Sequence, residues 1–274
     1  MVRPYTMKGH KRKKKSEEDR YDREEEEQEQ PDGFDEKEDQ GHEEEEEAVH
    51  EMEGIPIGPS DRSTKKPGVI FVLEKASLEV AKVGKSYQIL NSDDHANFLK
   101  RNNKNPADYR PDIVHQALLS ILDSPLTKAG RLRAVFVKTE KGVLFEVKPH
   151  VRLPRTYKRF SGIMLQLLQK LSITAAGKRE KLLRVIKNPV TQYLPVNSQK
   201  IGFSYSSDKL VKMRNHVAPI SDDVDLVFVV GAMAHGKIET DYTDDLIAIS
   251  GYPMSAARCI ARICEALEDK WDIL

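Results

Sequence analysis

Two glycine-bearing stretches and a group of arginines hold the side chains best suited to chemistry. Gly231-Ala232-Met233-Ala234-His235-Gly236-Lys237 follows directly on the apolar run Leu226-Val227-Phe228-Val229-Val230. Ser250-Gly251-Tyr252-Pro253 likewise follows Leu246-Ile247-Ala248-Ile249. Glycine lets a ligand approach bare backbone, because no side chain holds it off. Two such loops after neighbouring strands are what an open α/β sheet uses to hold a cofactor, and equally what two tight turns require. Lys200-Ile201-Gly202-Phe203-Ser204-Tyr205-Ser206 is a third strand-to-loop unit. Upstream, Arg155, Lys158 and Arg159 open a predicted helix, where the positive end of the dipole disfavours cations by roughly 0.3–1 kcal/mol each. Either an external anion binds there, or the cations are solvated or paired with distant carboxylates.

Several other chemistries are excluded. The chain has no G-x-x-x-x-G-K-[ST] phosphate loop, no G-x-G-x-x-G fingerprint and no G-x-S-x-G nucleophile elbow. No His, Cys or carboxylate group has zinc-ligand spacing, so no metal is expected. Cys259 and Cys264 are the only cysteines. Both fall in a helical segment and read as buried reduced thiols, which places the chain in a reducing compartment. His115 reads as a core histidine, and His235 as a loop histidine that bonds backbone.

The elements that must position these residues begin at Gly68. Val69–Leu73 is a buried strand, and His95–Lys100 a short helix. Asp112 is a natural N-cap for a helix through Ile113–Leu122, which Asp123-Ser124-Pro125 ends. Leu132–Val137 and Val143–Val147 alternate apolar and polar residues around Glu140-Lys141-Gly142, a hairpin signal. A longer helix carries the stripe Tyr157, Phe160, Met164, Leu167 and Leu171, widened by Ile163 and Leu168. Lys178–Lys187 reads as a short basic amphipathic helix. The last helix, about Ser255 to Lys270, has its stripe at Ala257, Ile260, Cys264, Leu267 and Trp271. These elements predict an α/β domain over residues 67–274.

The zero formal net charge conceals an asymmetry. Residues 1–66 carry 13 Lys+Arg against 22 Asp+Glu, and the remainder 31 against 22. The globular part is therefore basic, as expected of a protein that meets nucleic acid. The first 66 residues have almost no apolar content and read as a disordered charged tail. Their cluster Lys11-Arg12-Lys13-Lys14-Lys15 is either a nuclear or nucleolar address or a solvated basic tail. No apolar run approaches the roughly 18 residues of a membrane span and no signal-peptide core is present, so an intracellular protein with no membrane partner is expected.

Seven ordered motifs resemble a known family. The first four are Leu73-Glu74-x-Ala76-Ser77-Leu78-Glu79, Arg110-Pro111-Asp112-Ile113-x-His115-Gln116, Leu122-Asp123-Ser124-Pro125-Leu126 and Arg152-x-Pro154-Arg155-Thr156-x-x-Arg159-Phe160. Ile186-Lys187-Asn188-Pro189-Val190 follows, and then the two glycine-bearing loops. Together they resemble the small-subunit ribosomal RNA pseudouridine-N1 methyltransferases of the SPOUT (α/β-knot) superfamily, which include the ribosome-biogenesis factor named for essential mitotic growth.

The resemblance implies a parallel sheet with helices on both faces and a C-terminal trefoil knot. It implies a homodimer that binds S-adenosylmethionine in the knot loops and small-subunit rRNA across the subunit boundary, in the nucleolus among pre-ribosomal assembly factors. Carried over by motif, the cofactor residues are Ser204, Gly231, Gly236, Ile249, Ser250, Gly251, Tyr252, Pro253 and Met254. The RNA residues are Arg110, Arg152, Arg155 and Arg159, with Asp112 orienting Arg110. Arginine suits this work because its planar fork binds phosphate bidentately and stacks on an exposed base. Asp123 is the candidate for accepting the proton of the attacking nitrogen or for orienting the base. Two rival readings are a pre-rRNA-binding assembly factor whose methylation is dispensable, and a SPOUT enzyme aimed at tRNA.

Overall fold

The computed structural model describes residues 67–177 and 179–274; the charged stretch 1–66, with its lysine cluster, lies outside them. The strands are β1 (Val69–Ala76), β2 (Val80–Val83), β3 (Ser86–Ile89), β4 (Leu132–Thr139), β5 (Leu144–Val147), β6 (Ser172–Thr174), β7 (Lys181–Ile186), β8 (Ser198–Phe203), β9 (Asp225–Gly231) and β10 (Asp245–Ile247). The helices are α1 (Ser92–Arg101), α2 (Pro111–Leu122), α3 (Pro125–Lys128), α4 (Tyr157–Lys170), α5 (Met213–Val217) and α6 (Ala256–Lys270).

Eight strands form one sheet in the order β10-β8-β9-β1-β4-β5-β7-β6, and β2 with β3 forms a separate hairpin. The five strands from β10 to β4 are parallel, whereas β5, β7 and β6 join antiparallel. The expected parallel sheet is thus extended by an antiparallel edge, because the tight turn at Gly142 (φ +81°) folds β5 straight back onto β4. Central strands are apolar on both faces, as burial on both faces requires. Val69, Phe71 and Leu73 of β1 enter one core cluster with α2, α4 and α6. Ile70 and Val72 enter a second, covered by Val190, Leu194 and Ile238. That second cover comes from a 3-10 turn and the loop after β9, where the family resemblance implies helices.

Near the carboxyl end a short segment is hydrogen-bonded on both sides to one loop. Ile247 accepts from the Ser204 amide at 3.0 Å, while Ala248 donates to Lys209 at 2.9 Å and accepts from Val211 at 2.8 Å. Successive strand residues point their backbone groups to opposite sides, so Ile247–Ala248 runs between the two ends of the 204–211 loop before entering α6. An α/β knot, which the resemblance implies, requires such a passage between the ends of a loop.

Two expectations fail locally. Lys181–Ile186 is a strand, antiparallel to β5, rather than part of a basic helix. Asp112 is not an N-cap: Arg110 occupies that place without a side-chain cap bond, and Pro111 begins α2. Asp112 sits in the first turn, where a carboxylate still favours the dipole. Among the α-helices, side-chain caps form at Asn91, accepting from Asp94 at 2.7 Å, Ser124, accepting from Thr127 at 3.2 Å, and Ser255, accepting from Arg258 at 3.2 Å.

Candidate functional site

Because β10, β8 and β9 are parallel neighbours, their carboxyl ends open on the same edge of the sheet. The loops that leave them surround a cavity of about 580 Å³, in the range of a drug-sized ligand site. Ser204, Gly231, Gly236, Ile249, Ser250, Tyr252 and Met254, all expected cofactor residues, line it. Gly251 and Pro253 do not. A Cβ built on Gly251 would meet nothing within 4 Å, so space does not require glycine there.

The other two glycines have physical reasons. Gly236 adopts φ +112°, a conformation that a side chain would strain. A Cβ at Gly231 would come within 2.7 Å of Met233 Sδ, and Met233 itself lines the cavity. Phe203, Val230, Ile238 and Ile247 form apolar walls, and Ser204, Ser250, His235 and Lys237 bring polar groups to the same space. His235 makes no hydrogen bond among the described residues, contrary to its expected backbone role.

The opposite rim comes from the start of α2: Arg110, Asp112, Ile113 and Gln116. Arg110 donates through Nε and Nη2 to the two oxygens of Asp112, at 2.8 and 2.7 Å. That two-point grip holds the Asp112 carboxyl below, and the Arg110 guanidinium above, its ordinary range. The pair fixes the fork's orientation while leaving Nη1 free for a phosphate or base. Gln116 has no role assigned by sequence. It shares the rim because it lies one helical turn beyond Asp112.

The remaining arginines lie elsewhere in the single chain. Asp123 is the C-cap of α2, about 18 Å along the helix axis from its first residue at 1.5 Å per residue. It receives Lys128 Nζ at 3.2 Å and Arg155 Nη2 at 3.0 Å, which lower its pKa. Neither it nor Arg152, Arg155 or Arg159 lines the cavity. His115 joins the two regions. It stacks on Phe160 with centroids 4.3 Å apart, and its Nε2 is 2.8 Å from the Pro154 carbonyl oxygen, so the ring acts as donor to the arginine-bearing loop. The core reading of His115 therefore holds, with a bond that ties α2 to the segment before α4.

At the start of α4, Thr156 makes no side-chain cap bond. Arg152, Lys158 and Arg159 are exposed, and no carboxylate pairs with them among the described residues. The intrahelical arrangement leaves amide donors and cations facing solvent together, which is the composition of an anion site. Among the described residues no group of His, Cys, Asp or Glu is placed to hold a metal, and no helix is long and apolar enough to cross a membrane.

Comparison with known proteins agrees with this geometry. Residues 71–268 match the model of the EMG1/NEP1 methyltransferase family. The chain is 53% identical over 216 residues to the ribosomal RNA small subunit methyltransferase nep-1 of Caenorhabditis elegans, covering 78% of this chain and 93% of that one. It is 50% identical over 206 residues to the ribosomal RNA small subunit methyltransferase NEP1 of Homo sapiens, covering 75% and 83%. The crystal structure of Archaeoglobus fulgidus Nep1 bound to S-adenosylhomocysteine superposes with a TM-score of 0.56 at 22% identity, covering 75% of this chain and 99% of that one. By sequence along most of its length, and by fold, the chain belongs to the EMG1/NEP1 methyltransferase family.

Proposed function

We propose that this chain methylates N1 of a pseudouridine in small-subunit ribosomal RNA, with S-adenosylmethionine as donor, and so takes part in small-subunit assembly. The observation that carries the proposal is the cavity itself. Three strand-end loops present glycine backbone and apolar walls on one side, and the Asp112-held Arg110 stands on the other. Its volume and its mixture of apolar and polar lining fit a nucleoside-bearing cofactor. Ser204, Gly231, Gly236, Ile249, Ser250, Tyr252 and Met254 would hold that cofactor. When bound, it supplies an electrophilic methyl group on a sulfonium.

The work of the chain's own residues is then positioning. An in-line approach of the nitrogen to the methyl group, its N1 proton passing to solvent, contributes much of the rate without strong acid. The target base must leave its stack to enter the cavity, and Arg110 at the rim is placed to receive it. Arg152, Arg155 and Arg159 grip the flanking phosphates. We assign Asp123 neither of its two expected roles, proton acceptance or orientation of the base, but the placing of Arg155. A carboxyl whose pKa is lowered by Lys128 and Arg155 is a weak base but a good anchor for the Arg155 fork.

Within one chain those three arginines do not line the cavity. We therefore propose a homodimer in which they serve the cavity of the second copy. The tail 1–66, with Lys11–Lys15, would direct the chain to the nucleolus. The direct test offers purified protein and labelled S-adenosylmethionine to two hairpins that differ only in uridine or pseudouridine. Methyl uptake by the pseudouridine hairpin alone supports the reading. S-adenosylhomocysteine binding with no methyl uptake would favour an assembly factor instead.

A further inference from the structure

Glu74 is fully buried at the end of β1, in register with Gly231 at the end of β9. No step of the proposed reaction uses it. Its backbone oxygen accepts from the Ala232 amide at 2.7 Å, and its Oε1 accepts from the Tyr242 hydroxyl at 2.7 Å. Oε2 has no hydrogen-bond partner, and Lys138 Nζ of β4 stands 4.0 Å from it. Lys138 also holds Glu239 at 2.7 Å. Three ties, at Ala232, Glu239 and Tyr242, thus fasten the two ends of one loop to the ends of β1 and β4. Between them lie Met233, Ala234, His235, Gly236, Lys237 and Ile238, all of which line the cavity.

A fully buried carboxyl with one oxygen lacking a hydrogen-bond partner is costly to keep in a core that apolar residues could fill. We propose that Glu74 and Tyr242 are positioning residues that hold the 232–242 loop in its cofactor-binding form, acting on donor affinity rather than on RNA. This rests on the cofactor reading above. Tyr242 reaches Glu74 from the far end of the loop, so its hydroxyl closes the loop like a clasp. Removing that one oxygen opens the clasp and leaves the ring packed against the second core cluster.

The test compares the full chain with Tyr242→Phe and Glu74→Gln. Three readouts are taken: calorimetric affinity for S-adenosylhomocysteine, KM and kcat for S-adenosylmethionine, and amide hydrogen exchange of the unliganded protein. Tyr242→Phe should weaken S-adenosylhomocysteine about tenfold and raise KM alike, with kcat at saturation and hairpin affinity within about twofold of the parent. Exchange should quicken at Met233–Glu239 and not in α2 or α6. Glu74→Gln keeps the acceptor for Tyr242 and should retain affinity within about threefold. Unchanged donor affinity in Tyr242→Phe, or an equal loss of donor and RNA binding, overturns the proposal. If the parent chain does not bind S-adenosylhomocysteine, the cofactor reading falls. The exchange pattern then decides the clasp alone, and unaltered exchange at Met233–Glu239 overturns it.

Discussion

Asp112 holds Arg110 through both carboxylate oxygens, so the guanidinium meets the cavity with its direction already set. Arg110→Ala should lower hairpin affinity roughly 10- to 100-fold, the worth of one charge-assisted hydrogen bond, and leave S-adenosylhomocysteine binding unchanged. Arg110→Lys should recover little, because an ammonium cannot be gripped bidentately. Parallel titrations of RNA and donor separate these outcomes. Gly231→Ala should do the reverse. Its methyl would displace Met233 into the cavity, and overpacking of about 1–3 kcal/mol would weaken the donor roughly 5- to 150-fold with RNA affinity kept. Burial, first among its causes, raises the Glu74 pKa above 4.5. The sign follows: a carboxyl raised on folding stabilises most below its unfolded pKa, and stability is lost as pH rises through the folded value. Melting curves of Glu74→Gln against the parent from about pH 4 to 8 should therefore show the variant gaining relative stability as pH rises. A constant difference would contradict this. At this scale the sequence was informative about loop residues whose backbone does the work. It could not reveal that Gly251 and Pro253 miss the cavity or that Gln116 reaches it, because helix and loop facing depend on the partner element.

α4 starts with cations against its own dipole, on an N-terminus without a side-chain cap. Replacing Lys158 and Arg159 with alanine should stabilise the chain by roughly 0.3–1 kcal/mol each. The same changes should weaken the hairpin and reduce the slope of log affinity against log salt by about one for each phosphate no longer neutralised. Stabilisation with an unchanged salt slope would make that end a solvated surface only. In α6, burial pushes the thiols of Cys259 and Cys264 up to about 12. Both should stay silent to a thiol reagent at about pH 8 until denaturant is added. Long periodic stretches such as α2, α4, α6 and the five parallel strands were legible in the residues, since both sheet faces and one helix stripe must be apolar. β7 was not. Leu182 and Leu183 are both fully buried in the same core cluster, and an apolar doublet between Lys181 and Arg184 imitates a helical stripe. The β2–β3 hairpin was missed for the opposite reason: only Ile89 in it is buried, so almost no alternation shows.

For the whole molecule, the division of labour between cavity and arginines sets the assembly. Arg155 and Asp123 sit at one end of α2 and the cavity at the other, so a catalytic unit should require two copies. Sedimentation should show a dimer at micromolar concentration. Mixing an Arg155→Ala/Arg159→Ala chain with a Gly231→Ala chain should restore turnover through mixed dimers holding one intact composite site. No recovery on mixing would place the arginines and cavity of one chain in a single unit. The proposal gives the donor to the strand-end loops and the RNA to the arginines, so the two ligands should bind without excluding each other. The most direct measurement of the central claim is mass spectrometry of nucleosides from matched uridine and pseudouridine hairpins treated with the chain and deuteromethyl-labelled S-adenosylmethionine. The account predicts one labelled methyl group, on N1 of the pseudouridine alone. Label on neither hairpin, or on both alike, would contradict it.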